Sequence, residues 1–117
     1  MSRKPVFPMY VDLSEKKVVV IGGEGVAADR AAVLLAYAGE VKVIAPRAEK
    51  RILDHDREGR LTYLPRAYQR EDIFGADLVV AASGDLQTDL DAAAACKCLG
   101  IIVNIAGAEE KGDFYFS

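Results

Sequence analysis

Residues 17–38 constrain this chain more than any other stretch. Five residues, KVVVI, run into three glycines within Gly22-Gly23-Glu24-Gly25, and a segment with helical apolar spacing follows. Val18 to Ile21 carry no polar interruption, the pattern of a strand covered on both faces. Val26, Ala27, Ala31, Leu34, Leu35 and Ala38 then recur at three and four residues, the period of a helix with one buried stripe over residues 26–38. A buried strand that feeds a helix through a glycine turn calls for a parallel sheet with crossover helices.

The rest of the chain keeps that alternation and shows no internal repeat. Residues 7–13 (FPMYVDL) read as a leading strand, confined to an edge by Pro8. Residues 41–45 make the next core strand, stopped by Pro46, and residues 47–57 a charged, exposed helix carrying Ile52 and Leu53. A strand over 61–64, a helical turn over 69–73 and a buried strand over 77–82 (DLVVAA) come next. An alanine-rich helix over 85–99 ends at Gly100, a strand over 101–105 (IIVNI) follows, and residues 113–116 (DFYF) read as a last edge strand. This pattern predicts an α/β fold: a Rossmann-type parallel sheet with helices on both faces, in a single domain.

Composition narrows the function classes. At 117 residues the chain buries one core and no second folded unit. Fifteen basic residues, scattered along the chain, against eighteen acidic ones disfavour nucleic-acid binding. No apolar run approaches the roughly 20 residues that span a bilayer, and the start has no signal-peptide core, so the expected compartment is the cytoplasm. Cys96 and Cys98 project about 200° apart on a helix and read as packing thiols. His55, the sole imidazole, lies between Asp54 and Asp56 and reads as solvated, so no metal site is expected.

The turn between strand and helix is the candidate site. Helix N-termini offer unpaired N–H groups and a favourable dipole to an anion, and glycine lets a phosphate reach them. In the dinucleotide fingerprint one glycine makes the turn, a second admits the pyrophosphate and a third small residue lets helix and strand pack. Two registers satisfy the spacing. Gly23-x-Gly25-x-x-Ala28 keeps the pattern intact and is favoured, or else Gly22-x-Glu24-x-x-Ala27 with Glu24 turned out to solvent. The acid that commonly grips the adenosine ribose after the second strand is missing, since Ala45-Pro46-Arg47 stands there, and the choice between NAD and NADP stays open.

The ordered set of residues 7–13, Val18 to Gly23, Val26-Ala27, Val43 to Pro46, Leu78 to Ser83, Ile102 to Asn104 and Asp113-Phe114 resembles the NAD-binding domain of siroheme synthase, also called precorrin-2 dehydrogenase. The resemblance implies an oxidoreductase that oxidises precorrin-2 to sirohydrochlorin for siroheme, a porphyrin-type cofactor, with NAD taking the hydride. Carried over by position, it implies pyrophosphate contacts from Gly22, Gly23, Glu24, Gly25, Val26 and Ala27. Ile44, Ala45 and Pro46 would flank the adenosine, Ser83 would lie by the cofactor, and Asn104 near its nicotinamide end. It also implies a homodimer built by a helical segment that follows the Asp-Phe pair in the family and is not among these 117 residues.

One departure matters chemically. Three residues after Asn104, where the family has its key acid, stands Gly107. General acid–base assistance is typically worth about 10² to 10⁴ in rate, so the catalytic residue is unassigned, with Glu109, Glu110 and Asp113 the neighbouring carboxylates. A non-catalytic NAD-binding regulatory or assembly module related to the family is the competing expectation.

Overall fold

The computed structural model describes residues 4–116. Five strands, β1 (Lys17–Ile21), β2 (Glu40–Ile44), β3 (Thr62–Leu64), β4 (Leu78–Ala81) and β5 (Ile102–Ile105), form one sheet in the order β3-β2-β1-β4-β5. Every pairing is parallel, with Ile21 opposite both Ile44 and Ala81. Three helices, α1 (Val26–Leu34), α2 (Lys50–Arg57) and α3 (Leu86–Leu99), provide the main crossovers. This is the Rossmann-type α/β architecture that the alternating pattern predicts.

Side-chain alternation sorts the core into two layers. Val18, Val20, Val41, Val43 and Val80 face α1 and α2, where Ala27, Ala28, Ala31, Leu34 and Ile52 meet them. Val19, Ile21, Val79, Ala81, Val103 and Ile105 face α3 and the 3-10 turn Arg70–Ile73, where Ala92, Ala93, Cys96 and Ile73 close the layer. Each fully buried valine or isoleucine contributes about 1.5–3 kcal/mol, so the doubly covered β1 is the most strongly held element. Small residues on α1 and α3 let both helices lie close to the strands. Burial also pushes the Cys96 thiol up to about 11, whereas Cys98 is exposed.

Two expected strands do not form. Residues 7–13 join no strand among the described residues: Phe7, Met9, Tyr10 and Val11 are exposed, and only Leu13 reaches the core, its O accepting from Gly39 N–H at 3.0 Å. Prolines at 5 and 8 remove two ladder donors, and the sheet's outer positions are held by β3 and β5. Residues 113–116 meet β5 through a clamp at Asp113 and no ladder. Asp113 N–H donates to Val103 O at 2.7 Å, and Asp113 Oδ2 accepts from Val103 N–H at 3.0 Å. Beyond that clamp Phe114 and Phe116 turn beneath the sheet, where Arg30 lies 4.6 Å from the Phe116 ring centroid.

Helix boundaries differ for local reasons. α1 stops at Leu34 because the chain tightens into i→i−3 bonds, Ala36 N–H to Val33 O and Tyr37 N–H to Leu34 O. The tightening brings Gly39 beneath the 13–16 turn, where a Cβ would meet Ser14 O at 2.7 Å. α2 begins at Lys50 because Glu49 stays extended and donates its N–H to Gly23 O at 2.9 Å. α3 ends as expected at Gly100, in the left-handed conformation with φ 72°.

Candidate functional site

At the carboxyl ends of the strands, where the order reverses between β1 and β4, lies a cleft of about 910 Å³. Open α/β sheets bind ligands at this position because the loops after neighbouring strands depart to opposite faces. Gly22, Gly23, Glu24, Gly25 and Val26 line the cleft from the first crossover, and Ile44, Ala45, Pro46 and Arg47 from the second. Ser83, Asp85, Thr88 and Asp89 follow β4, and Gly107 follows β5.

Each glycine of the turn has its own reason. Gly22 has φ +125°, and a Cβ there would stand 2.2 Å from Ala82 O and 2.8 Å from Ala27 Cβ. A Cβ at Gly23 would meet Arg47 O at 2.6 Å. Gly25, the residue before α1, has φ 58° and ψ −125° with open space beside it. The Gly22–Ala27 approach has the form of the fingerprint's helix-to-strand contact, which fits the register Gly22-x-Glu24-x-x-Ala27. Of the two registers that the sequence leaves open, this is the one that needs Glu24 turned out to solvent. The competing carboxylate is disposed of by direction: the Glu24 side chain is 57% exposed, turned toward Arg47 at 3.9 Å across the rim. Ala27 is buried beneath the turn and does not line the cleft.

The turn leaves donors free. Among the described residues, the N–H groups of Gly23, Glu24 and Val26 find no protein acceptor. Gly22 N–H is taken by Ile44 O at 2.9 Å, and Gly25 N–H donates to Glu49 Oε2 at 2.6 Å.

Asn104 lies elsewhere. Fully buried on the α1 side of β5, it accepts from Arg30 Nη1 at 2.5 Å and donates through Nδ2 to Glu109 Oε1 and Phe114 O, both at 3.0 Å. Its polar atoms are committed to that cluster, and the cleft lining does not include it. The same cluster holds Glu109, and the clamp on Val103 holds Asp113, so neither carboxylate is offered to the cleft. Gly107 does line it, and a Cβ there would touch only Leu86 Cδ1, at an ordinary 3.5 Å.

Three cleft-side residues escape sequence reasoning. Asp89 is 3% exposed, and its two oxygens accept from Ser83 N–H at 3.1 and 3.2 Å. Burial raises its carboxyl above the ordinary range, and the Ser83 contacts offset part of that rise. A signal was present: Asp89 shares the buried stripe of Ala92, Ala93 and Cys96 at helical spacing. Tyr68 lines the cleft with a buried Oη that has no partner, and burial raises its phenol. Glu49 reaches the turn from 24 residues away, which no local pattern announces. His55 is less solvated than its charged neighbours suggest, with 22% of its side chain exposed.

Strand order, switch-point cleft and glycine turn together define a dinucleotide-binding Rossmann domain. Comparison with known proteins agrees. Residues 9–117 match the family model NAD_binding_7, described as "Putative NAD(P)-binding". A "Probable multifunctional siroheme biosynthesis protein HemA" from Ruminiclostridium josui is 33% identical over 110 residues, covering 94% of this chain and 21% of that protein. The "Siroheme synthase" of Nitrosospira multiformis is 36% identical over 102 residues, 84% of this chain and 22% of the relative. Among solved structures, "SirC, precorrin-2 dehydrogenase" superposes with a TM-score of 0.77 at 25% identity, over 96% of this chain and 57% of that one. The chain belongs to the NAD(P)-binding family of siroheme synthase N-terminal domains and precorrin-2 dehydrogenases. It spans about a fifth of the length of these two curated relatives. Among the described residues no helix is long and apolar enough to cross a membrane.

Proposed function

We propose that this chain is the NAD-binding domain of a precorrin-2 dehydrogenase acting in siroheme synthesis. The carrying observation is the glycine turn at the switch point, with amides that have no protein acceptor, in a chain whose relatives are siroheme enzymes. Gly23, Glu24 and Val26 offer their N–H groups to the diphosphate, and Gly22 sets the turn. Ile44, Ala45 and Pro46 give the adenosine an apolar wall, and Ser83 flanks the cofactor after β4. The dinucleotide, when bound, supplies the hydride acceptor. Asn104 acts indirectly: with Arg30 and Glu109 it fixes the end of β5 and thereby the position of Gly107.

NAD is the proposed form of the cofactor. Among the described residues that line the cleft, the one cation, Arg47, faces Glu24, and Arg51 is engaged by Glu49 and Asp29. A 2′-phosphate therefore meets three carboxylates, Glu24, Glu49 and Asp29, and no guanidinium without an acidic partner among these residues.

A second reading, a nucleotide-binding module without turnover, is favoured by Gly107 and by the engagement of Glu109 and Asp113 away from the cleft. Calorimetric titration with NAD⁺ and NADP⁺, followed by an assay of precorrin-2 loss with NAD⁺, separates the two. Gly107→Asp sharpens the assay, because space for the side chain exists. The dehydrogenase reading expects turnover that Gly107→Asp raises about 10²-fold or more. Binding without turnover in either form rules out the enzyme, and absence of NAD⁺ binding rules out both readings.

A further inference from the structure

Of the amides of Gly23, Glu24, Gly25 and Val26 at the mouth of α1, one has an acceptor among the described residues. Gly25 N–H donates to Glu49 Oε2 at 2.6 Å, a charge-assisted bond from the residue just before a helix. Glu49 is held in place from other directions as well. Its Oε1 accepts from Arg51 Nε at 2.9 Å, Arg51 Nη2 reaches Asp29 Oδ1 at 2.5 Å, and its own N–H donates to Gly23 O at 2.9 Å. A carboxylate thus sits where the helix dipole and an exposed N–H favour an anion.

We propose that Glu49 is a built-in competitor for the diphosphate subsite, occupying the Gly25 amide in the free protein and leaving it when a dinucleotide binds. The proposal rests on the dinucleotide reading above. One N–H cannot serve two anions at full strength, and two like charges at one helix mouth repel. Departure needs only side-chain rotation. The backbone of Glu49 stays on Gly23 O, the side chain is 37% exposed, and Arg51 can retain the released carboxylate. Glu49 would accordingly set how tightly the site holds phosphate-bearing ligands, without touching the parts that recognise base or sugar. The contrary role, a ligand to the ribose hydroxyls, makes the opposite prediction for its removal.

The test compares the full chain with Glu49→Gln and Glu49→Ala. NAD⁺, inorganic diphosphate and adenosine are titrated by calorimetry, while the Gly25 amide is followed by ¹⁵N–¹H NMR. Removing the competitor is expected to tighten NAD⁺ and inorganic diphosphate by about three- to tenfold in Glu49→Ala, and less in Glu49→Gln, whose neutral oxygen still accepts the N–H. Adenosine, which has no phosphate, is expected to be unaffected. The Gly25 signal is expected to move in both variants and, in the unaltered chain, on saturation with NAD⁺. Weaker NAD⁺ binding in the variants overturns the proposal in favour of a ligand role. Equal binding with a Gly25 signal indifferent to substitution and to NAD⁺ overturns it while leaving the dinucleotide site standing. Failure of NAD⁺ to bind any of the three proteins overturns both. Glu49→Gln, nearly isosteric, keeps the comparison available should Glu49→Ala fold poorly.

Discussion

Gly22 and Gly25 stand three residues apart in one turn, yet the structure requires glycine at each for a different reason. At Gly22 the obstacle is matter: an added methyl meets Ala82 O and Ala27 Cβ, and φ is +125°. At Gly25 the obstacle is backbone conformation alone, with open space around the Cα. Gly22→Ala should therefore destabilise the domain by about 3 kcal/mol or more and Gly25→Ala by about 1–2 kcal/mol, as read from urea unfolding. Asp89 presents the reverse case, a residue kept at a cost. Burial holds its folded-state carboxyl above the ordinary 3.8, so its contribution is fully present below that pH and is lost as pH rises through the raised value. At pH 7 the buried charge is thus a burden. Asp89→Asn, which retains an acceptor for Ser83 N–H, should raise Tm at pH 7, and the gain should vanish below about pH 3.8. A melting series from pH 3 to 8 checks the sign.

Among elements, those with an unbroken apolar run or a helical stripe were legible from residue order. β1, β2, β4 and β5 fall within about a residue of their expected limits, because a doubly buried parallel strand leaves a β-branched signature that needs no partner to interpret. The two terminal segments mislead for a shared reason: alternation of large apolar residues shows that a segment can pair, not that an edge is open to it. Among the described residues, β5's outer edge exchanges backbone contacts with Asp113 and no ladder, and residues 7–11 lie exposed in water. The side-chain bond joining residues 4–11 to the rest is Lys4 Nζ to Gly112 O at 3.4 Å. A chain beginning at Asp12 should then unfold within about 0.5 kcal/mol of the full chain, by the same denaturant measurement. A larger loss would reveal packing by this segment.

For the molecule as a whole, the strand order decides where chemistry can occur. Reversal between β1 and β4 opens the cleft above Ile21, and loops distant in sequence converge there: residues 22–26, 44–47, 82–89 and 106–107. A ligand spanning that cleft ties both halves of the sheet together. NAD⁺ at about 100 times its Kd should add about 2.7 kcal/mol to stability, a rise of roughly 10 °C in Tm for a domain of this size, with adenosine giving much less. Thermal melts with each ligand provide the measurement. Local order of residues was sufficient for the class of fold, the glycine turn and the positions of the buried strands, since period and turn chemistry act over a few residues at a time. Tertiary structure alone decided the register at Gly22, the placement of Asn104 away from the cleft and the arrival of Glu49 at Gly25. The last two depend on contacts between residues 24 and 74 positions apart in sequence, which packing sets and no local pattern encodes.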